Sequence, residues 1–180
     1  MSDLYRRFDE RLGAVVSFRP LSLEQDLPLF HRWQNTDRVA YFWNERGTLE
    51  AHRAYVAEML AAPHTMPVIG CLDDDPFLYL EIYWAKEDKL AGYYDTDPHD
   101  RGIHMLVGEA RHRGPHKVRA WLPALCRFLF ADDPATQRIV SEPRYDNAKM
   151  IGYLKEQGFE KVKEFDFPHK RAALMILDRD

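Results

Sequence analysis

The chain has 180 residues, and its 46% hydrophobic and 30% charged residues are typical of a folded protein rather than a disordered one. This length predicts a single domain, with enough buried surface to fold without a disulfide or a structural metal. The formal net charge is −4, and without an excess of Lys and Arg the composition argues against nucleic-acid binding.

The first half of the chain predicts one strand and two helices. Ser22 and Gln25 form a capping box at the start of the first helix, and Thr48 is a typical cap for the second. Residues 1–13 are polar, and we expect them to be loosely attached. The domain at residues 14–180 then begins with a strand at Ala14–Arg19, a helix from Ser22 to Asn35, an irregular aromatic segment at residues 41–44 and a helix from Thr48 to Ala62.

The second half predicts six strands and two helices. The turn residues Asp73–Pro76 join the first two of these strands into a hairpin, and Gly158 ends the last helix. The expected strands are Pro67–Leu72, Pro76–Trp84, Gly102–Gly108, Arg138–Ser141, Phe159–Phe165 and Arg171–Leu177. The expected helices are His116–Phe130 and Asn147–Gln157, and Lys86–Arg101 is expected to be a loop.

This order, β-α-α-β-β-β-α-β-α-β-β, predicts an α/β (α+β) protein with a mixed central sheet of about seven strands and four helices. The helices after the fourth and fifth strands imply local parallel crossovers in a sheet that is otherwise antiparallel. The order of elements alone fits several folds.

The two cysteines, Cys71 and Cys126, suit a reducing compartment and cannot form a four-cysteine metal site. The first ten residues lack the apolar core of a signal peptide. The longest apolar runs, Ala120–Cys126 and Ala172–Leu177, are far too short to span a bilayer. We therefore expect a cytoplasmic protein without a membrane partner.

A basic turn, Arg111–Lys117, lies between a predicted strand and a predicted helix and contains Gly114. The free N–H groups and the positive dipole at a helix N-terminus bind phosphate, so this turn is a candidate phosphate site. A Walker loop and a three-glycine dinucleotide motif are both excluded by the residues present. For an isolated turn of this kind, a solvated basic loop explains the residues equally well. Because Gly114 and Pro115 separate His112 from His116, a shared metal is not expected.

Several segments together resemble one family. Gly102–Gly108 (GIHMLVG), Gly114–Pro123, Glu142–Asn147 (EPRYDN), Met150–Leu154 (MIGYL) and Glu164–Met175 (EFDFPHKRAALM) resemble the hydroxamate-siderophore acyltransferases of the GNAT fold. The alcaligin, putrebactin and desferrioxamine types are the most similar, followed by the aerobactin hydroxylysine acetyltransferases. The likeness runs from about Phe18 to Leu177. His116 is a departure, because the GNAT loop normally ends in Gly or Ala, and this puts the pyrophosphate contacts in doubt.

The resemblance implies transfer of an acyl group from acetyl-CoA or succinyl-CoA to the hydroxylamine nitrogen of an N-hydroxylated diamine, N-hydroxycadaverine or N-hydroxyputrescine, without a metal. The product is a hydroxamate for siderophore biosynthesis. A flavin amine monooxygenase would act before the enzyme, and a siderophore synthetase after it. The family's CoA site lies where the fourth and fifth strands separate, with its pyrophosphate at Arg111–Lys117. The residues expected to contact CoA are Leu106, Val107, Arg111, Arg113, Gly114, Pro115, His116, Lys117, Asn147 and Tyr153.

His104 is the expected catalytic base, because a His in this strand is the proposed catalytic residue of related acyltransferases and titrates near neutral pH. Without the resemblance, a core histidine would be the better interpretation. Asp146 is the second catalytic candidate, and an ordinary helix N-cap is its equal alternative.

The substrate-binding candidates are weaker. Arg144 can bind a carboxylate, or can form a surface ion pair with Glu142. A cationic amine would suit acidic or aromatic residues, which draws attention to Asp95, Asp97 and Asp100, although acidic loops are usually solvated. His169 and Lys170 lie in the most distinctive segment, for which a structural turn is the simplest interpretation. The full set of substrate-binding candidates is Trp43, Asn44, Glu81, Tyr83, Arg144, His169 and Lys170.

Two other functions remain open: a GNAT enzyme acting on another amine, such as N-hydroxylysine, an aminoglycoside or a protein N-terminus, and a CoA-binding module without catalysis. The diamine length, the acyl group and the oligomeric state are not specified by the sequence.

Overall fold

A computed structural model describes residues 2–179 of the chain. In this range the strands are β1 (Tyr5–Asp9), β2 (Ala14–Pro20), β3 (Thr65–Leu72), β4 (Asp75–Trp84), β5 (Arg101–Val107), β6 (Arg138–Ser141), β7 (Glu160–Asp166) and β8 (Arg171–Asp178). The α-helices are α1 (Leu23–Gln34), α2 (Asp37–Trp43), α3 (Leu49–Ala61), α4 (Pro115–Asp132) and α5 (Ala148–Glu156). Short 3₁₀ turns occur at Ala85–Glu87, Lys89–Gly92 and Ala110–His112.

The strands form one mixed sheet in the order β1-β2-β3-β4-β5-β6-β8-β7. β5 and β6 are parallel, with Arg101 opposite Ile139 and Gly102 opposite Val140. β8 pairs with both β6 and β7 in antiparallel fashion. The predicted parallel crossover through α4 is confirmed, and β8 is inserted between β6 and β7.

The chain divides into two compact units. The first runs to Glu81 and includes Met105–Arg113. Its core consists of aromatic and aliphatic side chains from α1, α3 and the strands, among them Phe30, Trp33, Val56, Ile69, Tyr79 and Leu106.

The second unit comprises Ile82–His104 and the chain from Gly114 onward. Its core includes Tyr83, Leu90, Val140, Phe167, Ala172 and Leu174. β4 and β5 contribute residues to both units. The two cysteine thiols are buried and form no disulfide, Cys71 in β3 and Cys126 in α4.

Local sequence signals placed the ends of several elements correctly. The Ser22 hydroxyl accepts a hydrogen bond from Gln25 N at 3.4 Å, and the Thr48 hydroxyl accepts one from Ala51 N at 3.1 Å. Gly158 follows α5 with φ +104°, and Phe159 N donates to Leu154 O, as in a C-terminal cap. Asp73 and Asp74 both have positive φ, which matches the twist required by the predicted hairpin turn.

Three expectations were wrong. The polar N-terminal segment contains a strand, β1, which pairs with β2 in antiparallel fashion. Tyr5 lies opposite Phe18, and Asp9 lies opposite Ala14. The aromatic segment at residues 41–44 belongs largely to a helix, α2, which ends where Asn44 adopts a left-handed conformation. The expected loop at Lys86–Arg101 contains two 3₁₀ turns, and Arg101 begins β5. With these additions there are eight strands and five α-helices within residues 2–179 rather than seven and four.

No helix within residues 2–179 has both the length and the apolar composition needed to cross a membrane.

Candidate active site

The candidate active site is built around His104, at the centre of β5. Ile103 and Met105 on either side are buried, whereas the His104 side chain is 22% exposed. The last register pair between β5 and β6, Gly102 with Val140, lies two residues before His104. β6 ends at Ser141, and Glu142 follows directly. In parallel strands, equivalent positions along the two chains lie side by side, so this register places His104 level with Glu142.

Glu142 is the partner of His104. The imidazole Nε2 makes a short hydrogen bond to Glu142 Oε1, and the carboxylate is fully buried. The other oxygen, Oε2, accepts a 2.7 Å hydrogen bond from the Tyr83 hydroxyl. Glu142 was not among the sequence-based candidates for catalysis.

The environment of Glu142 keeps it ionised. Burial by itself raises the pKa of a carboxyl, but His104, Lys170 and the Tyr83 hydroxyl outweigh burial and lower the pKa of Glu142 to about 2. An ionised carboxylate can only accept hydrogen bonds. The Nε2 atom of a neutral His104 therefore carries the hydrogen, and its Nδ1 atom keeps the lone pair that can accept a proton.

Tyr83 supports the pair from β4. Its ring lies 4.9 Å from the His104 ring, and a side chain at Gly102 would bring a Cβ within 2.0 Å of the Tyr83 ring. Burial and the Glu142 carboxylate raise the pKa of Tyr83 well above its usual value, so its hydroxyl stays protonated as a donor. Tyr83, expected to bind substrate, is observed as a hydrogen-bond donor to Glu142.

Lys170 and His169 lie in the turn between β7 and β8. Lys170 Nζ donates to the backbone oxygen of Glu142 at 2.9 Å. The His169 ring stacks on Phe167 at 5.4 Å. Burial and two nearby lysines lower the pKa of His169. The predicted turn is confirmed, and it brings Lys170 to Glu142.

The Asp146 carboxylate accepts two hydrogen bonds from the Arg144 guanidinium, at 3.0 and 2.5 Å. The N-cap of α5 is Asn147, whose side chain accepts from Met150 N at 3.2 Å. The N-cap alternative for Asp146 is therefore wrong by one residue. Arg144 forms an ion pair with Asp146, and Glu142, which was expected to be its partner at the surface, is buried.

The residues expected to contact CoA fall in both units. In the first, Leu106 is buried, Val107 is half-buried and Arg113 is exposed. Arg111 forms ion pairs with Asp75 and Glu109, which compete with a phosphate for its guanidinium. Trp33 Nε1 also donates to Glu109, at 3.0 Å, so this carboxylate fixes the Arg111 end of the segment.

In the second unit, Gly114 precedes the 18-residue helix α4, which has Pro115 at its first position and no side-chain cap. Gly114 has φ +125°, and a Cβ there would lie 3.0 Å from the His116 ring. The first turn of α4 contains Pro115 and His116, which are exposed, and Lys117, which is half-buried. Tyr153 lies in α5 and is half-buried. An uncapped start of a long helix beside basic residues fits the pyrophosphate of CoA.

The remaining substrate candidates occupy three separate segments of the chain. Asn44 ends α2, and the Trp43 ring lies 5.8 Å from Tyr79 in the first unit. Glu81 is buried there and accepts hydrogen bonds from Tyr55 and Tyr79.

In the second unit, Asp100 is buried and accepts hydrogen bonds from Arg138 and Tyr94. This part of the acidic loop is therefore not a solvated face.

The part of the chain that the structure describes contains no cluster of three or more His, Cys, Asp or Glu side chains suited to a metal ion.

Residues 22–167 match the family model described as an acetyltransferase (GNAT) domain. An N(6)-hydroxylysine O-acetyltransferase of Escherichia coli is 45% identical over 98% of this chain and 56% of its own length. An N(5)-hydroxyornithine:cis-anhydromevalonyl coenzyme A-N(5)-transacylase of Beauveria bassiana is 50% identical over 86% of this chain and 34% of its own. The chain thus spans about half or less of these relatives. A solved aminoglycoside acetyltransferase in complex with coenzyme A has a TM-score of 0.78 and 28% identity, covering 91% of this chain and 95% of that one.

Proposed function

The chain belongs to the GNAT acetyltransferase family, and from this premise we propose that it transfers an acyl group from acyl-CoA to the hydroxylamine nitrogen of an N-hydroxylated amine. The observation that carries the proposal is the pair of partly exposed His104 and buried Glu142, which the parallel register of β5 and β6 brings together. The product is a hydroxamate, a bidentate iron ligand.

The reaction requires one new bond and one proton transfer. The hydroxylamine nitrogen attacks the thioester carbon, a C–N bond forms, and the C–S bond breaks as the CoA sulfur leaves. The nitrogen loses a proton to His104 Nδ1, and the resulting imidazolium gives that proton to the leaving sulfur, so one proton moves from nitrogen to sulfur overall. An alkylhydroxylamine is less basic than an alkylamine and is largely neutral at physiological pH, so one general base is enough.

Glu142 makes His104 suited to this task. Its carboxylate orients the imidazole and stabilises the positive charge that develops when Nδ1 accepts a proton, as the acidic member of a catalytic triad does. His104 is partly exposed and Glu142 is fully buried, so the imidazole is the member of the pair that solvent and substrate can reach.

The start of α4 is the proposed pyrophosphate site. The helix dipole and the first N–H groups favour an anion there, and Lys117 adds a positive charge. A smaller residue at position 116 would let the pyrophosphate approach the backbone closely. We expect the His116 imidazole to take the place of that backbone contact. Acetyl-CoA and succinyl-CoA are both candidate donors.

The relatives and the sequence together support an N-hydroxylated amine as the substrate class. The Escherichia coli and Beauveria bassiana relatives are named for N-hydroxylated lysine and ornithine. The sequence motifs favour an N-hydroxylated diamine. These compounds share a hydroxylamine at the end of an alkyl chain and differ in whether a carboxylate accompanies the distal amine.

The experiment offers purified protein acetyl-CoA or succinyl-CoA with N-hydroxycadaverine, N-hydroxyputrescine, N-hydroxylysine or N-hydroxyornithine. Thiol release measures loss of the acyl group from CoA, and the coloured ferric complex measures hydroxamate. We expect both signals in equal amounts, and we expect His104→Gln to lower kcat by roughly 100-fold or more without changing the circular dichroism spectrum.

Other outcomes would contradict the proposal. Thiol release without ferric colour would indicate acylation of oxygen, as the name of the Escherichia coli relative suggests for that protein. Turnover with aminoglycosides or unmodified diamines but not with hydroxylamines would favour the function of the solved aminoglycoside acetyltransferase. CoA binding with no turnover of any amine would leave a binding module.

A further inference from the structure

We infer that Lys170 is a positioning residue for the His104–Glu142 pair, which fixes the Glu142 carboxylate in place and prevents that carboxylate from taking the transferred proton. The inference rests on the proposed function, in which His104 is the base. It assigns a role to the segment Phe167–Arg171, for which the sequence indicated only a turn.

The turn that carries Lys170 is held rigidly. Phe167 N donates to Lys170 O at 2.8 Å and closes the turn. The Phe167 ring is buried and packs against Tyr93 at 4.7 Å and Phe165 at 4.9 Å. Lys170 Nζ lies 5.6 Å from the centre of the Phe167 ring, within the range of a cation–π contact. The position of the ammonium group is therefore set by a packed aromatic cluster.

Lys170 contacts Glu142 at two points. Nζ donates to the backbone oxygen at 2.9 Å and lies 3.9 Å from Oε1, the oxygen that also binds His104. A group that holds both the main chain and the side chain of one residue restricts its rotamer. The Tyr83 hydroxyl holds Oε2 at 2.7 Å, so the carboxylate plane is fixed from both sides.

The charge of Lys170 also decides where a proton resides. A carboxylate beside a histidine can take the proton itself, which would end its ability to stabilise an imidazolium. A neighbouring ammonium disfavours protonation of Glu142 and, as a like charge, favours release of the proton from His104. Both effects suit a base that must accept and then lose a proton in each turnover.

Other charged and titratable groups surround this cluster and are part of its electrostatics. They are Tyr83 from β4, Asp88, Lys89 and Tyr94 from the segment between β4 and β5, and His169 from the turn. Lys170 differs from Lys89 in its direct hydrogen bond to Glu142.

The test is a pH titration of the His104 imidazole by ¹⁵N NMR, which requires no turnover. In Lys170→Gln and Lys170→Met we expect the titration midpoint to move to higher pH by about one unit, because a like charge is lost. Lys170→Arg should titrate as the wild type does. Lys163→Met, at an exposed position in β7, is the matched control and should also leave the midpoint unchanged.

Kinetics supply the second readout. Lys170→Gln should lower kcat by roughly 10-fold with little change in KM for either substrate, and the acidic limb of the kcat profile should move with the NMR midpoint. Lys170→Arg should recover most of kcat.

Several outcomes would overturn the inference. An unchanged His104 midpoint in Lys170→Gln would do so, whether or not the protein acylates any amine. A rise in KM for the amine at constant kcat would make Lys170 a substrate contact instead. If Lys170→Met does not fold, Lys170→Gln decides, because it removes the charge and keeps a hydrogen-bond donor. Failure of the proposed function would instead leave the NMR shift intact with no turnover to measure.

Discussion

Glu142 is a single residue that contacts three separate segments of the chain. Its two carboxylate oxygens bind His104 from β5 and Tyr83 from β4, and its backbone oxygen binds Lys170 from the β7–β8 turn. Asp146, four residues further along, is exposed and pairs with its neighbour Arg144. The two acids of the EPRYDN motif therefore differ in burial and in partners, and we expect them to differ in function.

Substituting each acid by its amide tests this difference. Glu142→Gln should lower kcat by about 100-fold, since an amide keeps the shape but cannot stabilise a cationic imidazole. Asp146→Asn serves as the matched control and should keep kcat within about twofold, because surface ion pairs contribute little. Steady-state kinetics with saturating acyl-CoA and hydroxylamine measure both. The opposite ranking would return the catalytic role to Asp146.

The sequence identified His104 but not its partner, and the reason is the register of a parallel pair. Arg101 lies opposite Ile139, and the same offset of 38 residues separates His104 from Glu142. A sequence shows that a crossover helix joins two strands but not how far one strand slides along the other. A different register between β5 and β6 would have favoured the other acidic residue of the EPRYDN motif as the partner of His104.

At the scale of elements, caps and turns were predictable because they depend on a few neighbouring residues. Ser22, Thr48 and Gly158 act at the positions that their local sequence indicates. The elements that were missed have weak local patterns. β1 is a largely exposed strand with polar residues at its centre. The seven-residue helix α2 begins at Asp37, and its N-cap, Thr36, makes no side-chain hydrogen bond to the first turn.

Gly102 in β5 is required by a close approach rather than by its backbone angles. A Cβ there would lie 2.0 Å from the Tyr83 ring. We predict that Gly102→Ala destabilises the protein by about 1–3 kcal/mol, the usual cost of overpacking, and displaces the Tyr83 hydroxyl from Glu142. Urea unfolding monitored by fluorescence measures the loss.

Gly152→Ala in α5 is the control for this substitution. No atom lies within 4 Å of a Cβ at Gly152, and alanine favours a helix over glycine by about 1 kcal/mol. Gly152→Ala should therefore leave stability unchanged or raise it. Equal stability of Gly102→Ala and the wild type would show that β4 and β5 adjust without cost.

Across the whole chain, the net charge of −4 does not show how differently individual carboxylates are placed and ionised. Glu142 is ionised inside a core, whereas Asp74, Asp75 and Asp133 are surface carboxylates whose pKa values are lowered by hydrogen bonds from basic side chains. The composition predicted a folded acidic protein but could not show that one buried charge lies at its candidate active site.

The pKa of Glu142 makes the stability of the protein depend on pH. The folded-state pKa of about 2 is below the unfolded value near 4.5, so the stabilisation is fully present above pH 4.5 and is lost as the pH falls towards 2. The difference in unfolding free energy between the wild type and Glu142→Gln should shrink across this range.

Urea unfolding at several pH values between 2 and 7 measures this difference. The surface carboxylates are common to both proteins, so their contributions cancel in the comparison. A difference that stays constant down to pH 2 would mean that Glu142 is not preferentially ionised in the folded state.

The burial of both thiols has a practical consequence for labelling chemistry. Burial raises the pKa of Cys71 and raises that of Cys126 to about 12, so the reactive thiolate is scarce at neutral pH. A disulfide reagent should therefore report the thiol of released CoA over a low protein background. A cysteine introduced at exposed Tyr145, beside the EPRYDN acids, would carry a fluorophore at a single known position.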